Sequence, residues 1–365
     1  MLKRSAIVAA IGLALILTYL LTWPVPVSPV AWDAPRNAGL VDPFESNDRL
    51  AKAAIIDLGV HESPEDVTGR DGYIFASTLG GRIIRLRPDG TDLAVFAETG
   101  GRPLGLEFDS GGHLIVANSQ LGLQSISADG KVTLLVAEWA PGQRIYPNDV
   151  AISTDNKFYF SESSSKFSGQ QFGDAYDASL LDIIEHGDHG RVFEYDPATG
   201  ITRVVMDGLN YANGVAISAD QQFLLVAETA SYRIQRYWLQ GPNRGRSEVV
   251  LENVPGFPDN IDNGLNDRFW IGLVAPRNDL IDKLSGQPWA RKTIMRLPQA
   301  VRPAAEKSSH VIGINGDGVV LMDLQDSHAS YPSITGVYET RDALFLSSLF
   351  GNRLARLDKS ALAVD

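Results

Sequence analysis

The amino-acid sequence predicts an all-β protein, a six-bladed β-propeller with a central channel, preceded by an N-terminal transmembrane helix. Three observations lead to this prediction: an uncharged apolar run near the N-terminus, short β-rich runs closed by turn sequences over most of the chain, and one sequence unit that recurs. We assign residues 1–23 to a membrane anchor, 24–50 to a linker and 51–360 to the propeller.

The first predicted element is the run from Ser5 to Trp23, which follows Lys3 and Arg4 and carries no charge. Its length suits a helix that crosses a bilayer, which needs about 20 apolar residues. A cleaved secretory signal is the alternative, although the apolar region of a signal is normally only about 7–15 residues long. Positive residues stay on the cytoplasmic side under either interpretation, so the propeller is expected on the periplasmic, lumenal or extracellular side.

The remainder of the chain is organised by a degenerate repeat. Each copy holds a loop, a short strand, a Gly/Asp/Asn turn and hydrophobic strands, and a period of about 50 residues is typical of four-stranded propeller blades. The copies begin at Pro64, Pro103, Pro147, Ala212, Pro258 and Ile334. Residues 51–58 are expected to supply the strand that closes the ring against the last blade. A pair of β-sandwiches is the alternative, which the even repeat disfavours.

The second position of the repeat carries oxygen-bearing side chains in most copies. Because equivalent positions of successive blades form a ring around the axis, these side chains should converge on one point. Aligned on the hydrophobic strands, the position reads Glu65, Leu104, Asn148, Asn213, Asp259 and Thr335, with Asn260 adjacent. Ca²⁺ takes about 6–8 oxygen ligands of this kind, so we predict a calcium ion held by Glu65, Asn148, Asn213, Asp259 and Asn260. For each residue taken alone, the alternative is that it occurs here because Asn and Asp are favoured in turns.

Composition and motifs exclude several classes of protein. A net charge of −12 argues against a nucleic-acid partner. The absence of cysteine excludes thiol catalysis, disulfides and thiolate-bound zinc. The sequence also contains no Gly-x-Ser-x-Gly nucleophile motif, no His-Glu-x-x-His, no P-loop and no dinucleotide fingerprint.

Several segments resemble the strictosidine synthase-like family and, more distantly, the paraoxonases and the gluconolactonase/regucalcin proteins. The likeness lies in Tyr146–Ser165, Gly190–Asp196, Tyr211–Trp238, Pro255–Ile261 and Ser347–Gly351. It implies a six-bladed propeller with calcium at the channel mouth and a membrane-anchored hydrolase of lactones or aryl esters. In that scheme the ion polarises the carbonyl and Asp259 acts as the catalytic base. The alternative is a non-catalytic, calcium-stabilised propeller that binds a partner.

The sequence departs from these families at positions that we assign to the substrate pocket. Thr335 stands where the true strictosidine synthases carry a glutamate, which disfavours amine–aldehyde condensation. Leu104 and Ser119 stand where paraoxonases carry a histidine pair. His186 either reaches over the channel mouth as an acid/base group or lies in a turn before a blade strand. The insertions 166–187 and 276–292 are predicted to be lids that shape the pocket.

Overall fold

The computed structural model describes residues 2–362, with side chains from residue 4 onward, so that Met1 of the predicted anchor lies outside the described residues. The chain begins with helix α1 (Leu2–Thr22), followed by an extended segment, a 3₁₀ turn (Arg49–Lys52) and strand β1 (Ala54–Asp57). The segment Arg4–Thr22 has a mean hydropathy of 2.2, and no residue of its most apolar stretch is buried against the rest of the protein. The helix therefore fits either a membrane anchor or a signal sequence.

Six four-stranded antiparallel sheets, the blades, follow one another around a central axis, and each numbered blade starts with its innermost strand. Blade 1 comprises β2 (Val67–Arg70), β3 (Tyr73–Thr78), β4 (Arg82–Leu86) and β5 (Ala94–Glu98). Blade 2 comprises β6 (Pro103–Phe108), β7 (Leu114–Asn118), β8 (Gly122–Ile126) and β9 (Val132–Val136). A small hairpin of β10 (Glu138–Ala140) and β11 (Gln143–Arg144) leads to blade 3.

Blades 3 and 5 each carry a helical insertion between strands. Blade 3 comprises β12 (Pro147–Ile152), β13 (Phe158–Glu162), helices α2 (Gly169–Phe172) and α3 (Ala175–Glu185), β14 (Gly190–Asp196) and β15 (Ile201–Leu209). Blade 4 comprises β16 (Ala212–Ile217), β17 (Phe223–Glu228), a 3₁₀ turn (Thr229–Ser231), β18 (Arg233–Trp238) and β19 (Ser247–Leu251). Blade 5 comprises β20 (Gly256–Asn263), β21 (Phe269–Pro276), helices α4 (Asp279–Lys283) and α5 (Pro288–Ile294), a 3₁₀ turn (Gln299–Val301), β22 (Ser309–Ile314) and β23 (Val320–Asp326).

Blade 6 is built from both ends of the propeller. Its strands are β24 (Ile334–Glu339), β25 (Ala343–Ser348) and β26 (Arg353–Asp358), with β1 as the outermost strand and a 3₁₀ turn (Lys359–Ala361) after β26. Strand β1 runs antiparallel to β26, with Ala54 opposite Arg356 and Asp57 opposite Arg353. This pairing confirms the prediction that residues 51–58 close the ring, and the six blades confirm the predicted propeller.

The core lies between successive blades, because each sheet is covered by a neighbour on both faces. Strand β7 is accordingly buried along its whole length rather than at alternate residues. Between blades 2 and 3, for example, Ile115 packs in one cluster with Phe160 and Phe193. Burial on both faces explains why the strands read as continuous hydrophobic runs in the sequence.

Buried or half-buried carboxylates join the innermost strands of neighbouring blades. Each one accepts a hydrogen bond from a backbone amide of the next blade, which supplies an edge-strand donor with a partner. The pairs are Asp66 with Leu106 (2.7 Å), Glu107 with Ile152 (2.7 Å), Asp149 with Val215 (2.8 Å) and Asp262 with Val337 (2.7 Å). Between blades 4 and 5 the backbones instead meet directly at Gly214, where a Cβ would lie 2.1 Å from the Ile261 nitrogen.

The extended segment after helix α1 is packed against the propeller. Residues 24–36, which we call the strap, run between the two helical insertions. The Val30 amide donates to the Glu185 carbonyl oxygen (2.8 Å), and the Trp32 amide donates to that of Ser285 (3.2 Å). At the start of the strap, Arg296 donates to the carbonyl oxygens of Leu20 (3.0 Å) and Trp23 (2.7 Å). The end of α1 is thereby attached to the insertion of blade 5.

Candidate metal centre

A cavity of about 620 Å³ lies at one end of the central channel. Both helical insertions form its walls, with Leu180 and Ile184 from α3, Ile281 from α4, and Met295 after α5. The predicted lids therefore do border a cavity at the channel mouth. Most of the wall is apolar, which is typical of sites that take small organic molecules.

The ring position of the repeat lies at an irregularity of the innermost strand. In blades 2 to 6 the pairing between the first two strands shifts register across this position, and such bulges redirect side chains. The shifts fall between Pro103 and Leu106, Pro147 and Val150, Ala212 and Val215, Pro258 and Ile261, and Ile334 and Val337. The bulges let side chains at the ring position turn toward the cavity, where Asn148, Asn213 and Asp259 line its floor. Glu65, which precedes strand β2 of blade 1, lines the same floor.

Hydrogen bonds fix the orientation of the amide side chains in this ring. Asn148 donates through Nδ2 to Ser163 Oγ (2.8 Å). Asn213 donates through Nδ2 to Asp259 Oδ1 (2.5 Å) and to Thr229 Oγ1 (3.1 Å). Since the nitrogen atoms are held by protein acceptors, the carbonyl oxygens point the other way.

Four oxygen atoms of the ring are buried without a hydrogen-bond partner among the described residues. They are Glu65 Oε2, Asn148 Oδ1, Asn213 Oδ1 and Asn260 Oδ1. Asn260 also donates through Nδ2 to the backbone oxygen of Glu65 (3.2 Å). Unpartnered buried oxygens are costly, and a hard cation such as Ca²⁺ would satisfy all four together with a carboxylate oxygen of Asp259. The residues present therefore fit the predicted ion.

The two carboxyl groups of the ring share one desolvated site. Burial raises the pKa of Glu65 from 4.5 to about 7, against the opposing effect of the nearby Arg102 charge. Burial, together with the charge of Glu65, also raises the pKa of Asp259 well above its ordinary value. A divalent cation between them would stabilise both ionised forms.

The other predicted pocket residues lie in different surroundings. Leu104 lines the cavity. Thr335 is fully buried beneath the ring and donates through Oγ1 to the backbone oxygen of Glu65 (2.5 Å). Ser119 donates through Oγ to the backbone oxygen of Arg102 (3.2 Å). Thr335 and Ser119 thus support the backbone around the cavity rather than lining it.

His186 lies behind the lid and does not line the cavity. It ends α3 in the left-handed region (φ 53°), and its ring stacks on Trp32 of the strap at 3.9 Å between centroids. Burial lowers the pKa of His186 to about 3. The ring is therefore neutral near physiological pH and held by packing, which does not suit the acid/base role considered from the sequence.

The cavity also contains a second ring of residues that the sequence analysis missed. Each member lies two positions before the metal-ring residue of its blade, either in the loop that leads into the innermost strand or, for Phe257, near the start of that strand. The members that line the cavity are Ser63, Arg102, Tyr211, Phe257 and Ser333. The spacing was visible in the repeat, but these side chains share no chemical type that would have marked them.

Two sequence comparisons, one with family models and one with individual known proteins, agree on the relatives of this chain. The family model for strictosidine synthase matches residues 148–242, and that for the N-terminal region of strictosidine synthase-like proteins matches residues 42–86. Protein strictosidine synthase-like 6 from Arabidopsis thaliana is 32% identical over 87% of this chain and 85% of its own length. Adipocyte plasma membrane-associated protein from Homo sapiens is 30% identical over 94% of this chain and 86% of its own length.

Solved structures share the propeller fold. A gluconolactonase from Xanthomonas campestris superimposes with a TM-score of 0.60 at 18% identity, covering 93% of this chain and 99% of its own. The calcium-binding protein regucalcin from Agrobacterium tumefaciens gives a TM-score of 0.57 at 13% identity, covering 84% and 93% of the two chains. At these identities the likeness concerns the fold alone.

Proposed function

This chain belongs to the strictosidine synthase-like family, and from that premise we propose that it is a membrane-anchored, calcium-dependent hydrolase of lactones or aryl esters. The observation that carries the proposal is the set of unpartnered oxygens of Glu65, Asn148, Asn213 and Asn260 beside Asp259, and all of these residues except Asn260 line the floor of an apolar cavity. A gluconolactonase and a calcium-binding regucalcin share the fold, so the fold is compatible with this chemistry.

Five side chains would hold the ion: Glu65, Asn148, Asn213, Asp259 and Asn260. When bound, calcium supplies a Lewis acid that polarises an ester carbonyl. The carbonyl groups of the three asparagines are held in place by the hydrogen bonds of their amide nitrogens, so the ligand set is preorganised.

Asp259 is the proposed general base. Its Oδ1 accepts from Asn213, while Oδ2 has no hydrogen-bond partner within residues 4–362 and the side chain lines the cavity. Oδ2 is thus placed to take a proton from a water molecule as the water oxygen bonds to the carbonyl carbon. The ester C–O bond then breaks, and the same proton is returned to the leaving oxygen.

The proposed location follows from helix α1. An uncleaved helix would cross the bilayer once, with Lys3 and Arg4 on the cytoplasmic side and the propeller on the opposite side. The attachment of Arg296 to Leu20 and Trp23 supports an intact helix, because it makes the end of α1 part of the folded protein. Relatives are named for their association with the adipocyte plasma membrane.

The test uses the full chain in detergent, since Val27 of the strap is completely buried against the lids and a shorter chain would lose that contact. A panel of lactones and aryl esters is assayed with calcium and with chelator. We expect calcium-dependent turnover that is lost in Asp259→Ala and Asn213→Ala but retained in Asn243→Ala, a matched change on an exposed turn. A folded, calcium-bound protein that turns over none of the panel would reject the hydrolase for those substrates and favour partner binding.

A further inference from the structure

Arg102 is a buried cation on the wall of the cavity. Its side chain lines the cavity although the residue is only 4% exposed. Its Nη1 donates to the backbone oxygen of Ser63 (3.1 Å), while Nε and Nη2 have no acceptor within hydrogen-bond distance in the described chain. The charges of Glu65 and Asp174 act on it, but neither carboxylate forms an ion pair with it among the described residues.

The backbone of Arg102 is held from several sides. Asn118 Oδ1 accepts its amide hydrogen (3.1 Å), and its carbonyl oxygen accepts from the Ser119 amide (2.9 Å). The residue that follows, Pro103, favours an extended conformation at Arg102. The guanidinium therefore projects from a fixed point, two residues before the ring position of blade 2.

The other arginines of the cavity wall have protein partners. Arg277 forms an ion pair with Asp282 (2.8 Å) and donates to the Pro35 carbonyl oxygen (2.5 Å). Arg302 donates to the carbonyl oxygens of Leu297 and Met295 (2.9 Å each). Arg102 differs from both because its Nε and Nη2 have no protein acceptor in the described chain, and a buried cation without an anionic partner is costly.

We propose that Arg102 is an anion-binding subsite that holds a carboxylate of the ligand while the apolar walls hold its hydrocarbon part. The ligand is a singly charged amphiphile, since Asp174 and Glu65 would repel a dianion such as a phosphate monoester. This subsite adds a substrate class to the proposed function. It rests on that function only for the identification of the bound ligand as the substrate. It assigns the substrate class as lactones or esters that bear a carboxylate.

The test compares binding of phenylacetate and its neutral counterpart phenylacetamide to the full chain, with calcium and with chelator, by calorimetry. Hydrogen bonds to charged groups contribute about 1.5–3 kcal/mol, so Arg102→Gln should weaken phenylacetate binding by roughly 10- to 100-fold. Phenylacetamide binding should stay unchanged, and Arg102→Lys should retain part of the preference. Arg244→Gln, a change to an exposed turn arginine outside the cavity, is the control and should keep the preference of the unmodified protein.

Three outcomes would overturn the proposal. One is an unchanged preference for phenylacetate in Arg102→Gln. Another is an equal weakening of the binding of both ligands in Arg102→Gln, together with a lower melting temperature or weaker calcium binding. Arg102 would then be a structural support for the backbone near Glu65. The third is no binding of either ligand to the unmodified protein. Because none of these measurements uses turnover, the subsite and the proposed hydrolysis can fail separately.

Discussion

At the scale of single residues, desolvated carboxyl groups such as those of Glu65 and Glu107 make the metal-free protein sensitive to pH. Burial raises the pKa of Glu65 to about 7 and that of Glu107 to about 8, from 4.5 in each case. Folding therefore favours their protonated forms, and stability is lost as pH rises from about 4.5 through about 8.

We accordingly expect the melting temperature in chelator to fall as pH rises through this window, and the fall to be smaller in Glu65→Gln. Glu98→Gln, on an exposed strand residue, is the control and should follow the unmodified protein. An identical pH dependence in Glu65→Gln would contradict the assignment of Glu65 as a desolvated carboxyl group.

Asp259→Asn gives a second prediction at this scale. The amide keeps the shape and an acceptor for Asn213 and cannot ionise, so the metal-free variant should lose less stability than the unmodified protein as pH rises. Calcium should then stabilise the variant little, whereas it should stabilise the unmodified protein by about 2.7 kcal/mol at a hundredfold excess over its Kd. Melting curves with calcium and with chelator provide the measurement.

Asp342→Asn, a matched change at an exposed turn, should leave both melting curves unchanged. If Asp259→Asn and the unmodified protein gained equally from calcium, Asp259 would not be a ligand.

Sequence reasoning could predict the ring because carboxylate or amide side chains recur at one register in four of the six copies. It missed Arg102 and Tyr211 because the second ring has the same spacing without a common chemistry. It also left His186 between two roles, since no local pattern reports that a Trp32 ring from a segment more than a hundred residues earlier packs on it.

At the scale of elements, one buried side chain of helix α5, that of Arg291, connects the strap with both lids. Arg291 of α5 donates to the carbonyl oxygens of Ile184 (2.8 Å) and Ser285 (3.0 Å), and also to that of Val30. It is fully buried. Removing it leaves the carbonyl groups of Ile184 and Val30 without a donor, at about 1–3 kcal/mol each. The Ser285 carbonyl oxygen, by contrast, keeps the Trp32 amide as a donor.

We predict that Arg291→Ala increases amide hydrogen exchange in the strap and in α3 while the blades stay protected. Lys292→Ala, the neighbouring and more exposed residue of the same helix, is the control. Exchange that rises equally in all blades would mean that Arg291 supports global folding instead of the lids.

The repeat predicted the two insertions between blade strands, whereas composition described residues 24–50 only as a linker, since their proline content suggests an extended chain. What composition does not report is where an extended chain packs. The apolar residues Val27 and Trp32 were the available signal, and both have contacts with the lids or with His186.

At the scale of the whole molecule, the repeat determines the architecture because each blade needs its neighbours for burial. A repeat of this kind is readable even when individual strands are irregular, so the number of blades and the closing strand β1 could be predicted. The arrangement of α1 against the lids could not, because it depends on Arg296 contacting backbone atoms that carry no sequence signal.

The orientation of the molecule on a bilayer gives a further prediction. Trp289 and Val301 flank Arg296 in sequence and are 68% and 63% exposed. Since the end of α1 is bound to the same insertion, we expect Trp289 to lie in the lipid interface, where tryptophan is favoured. Brominated lipids in nanodiscs should quench its fluorescence.

The comparison of the full chain with Trp289→Phe and Trp23→Phe separates the contributions. Quenching lost in Trp23→Phe alone would support the anchor and reject the contact of Trp289 with lipid. Quenching absent in all three proteins would reject the anchor as well.

The attachment of α1 through Arg296 has a consequence for how a ligand arrives. With α1 in a bilayer, the cavity cannot move farther from the lipid surface than the strap allows, and the 3₁₀ turn at Gln299–Val301 beside its rim stays near that surface. An amphiphilic ligand would then reach the cavity by lateral diffusion in the membrane, a search in two dimensions. The membrane concentration of the ligand, which governs occupancy of the cavity, would be set by the ligand's partition coefficient. A longer hydrocarbon tail on the ligand should therefore change the apparent affinity even where it makes no additional contact with the protein.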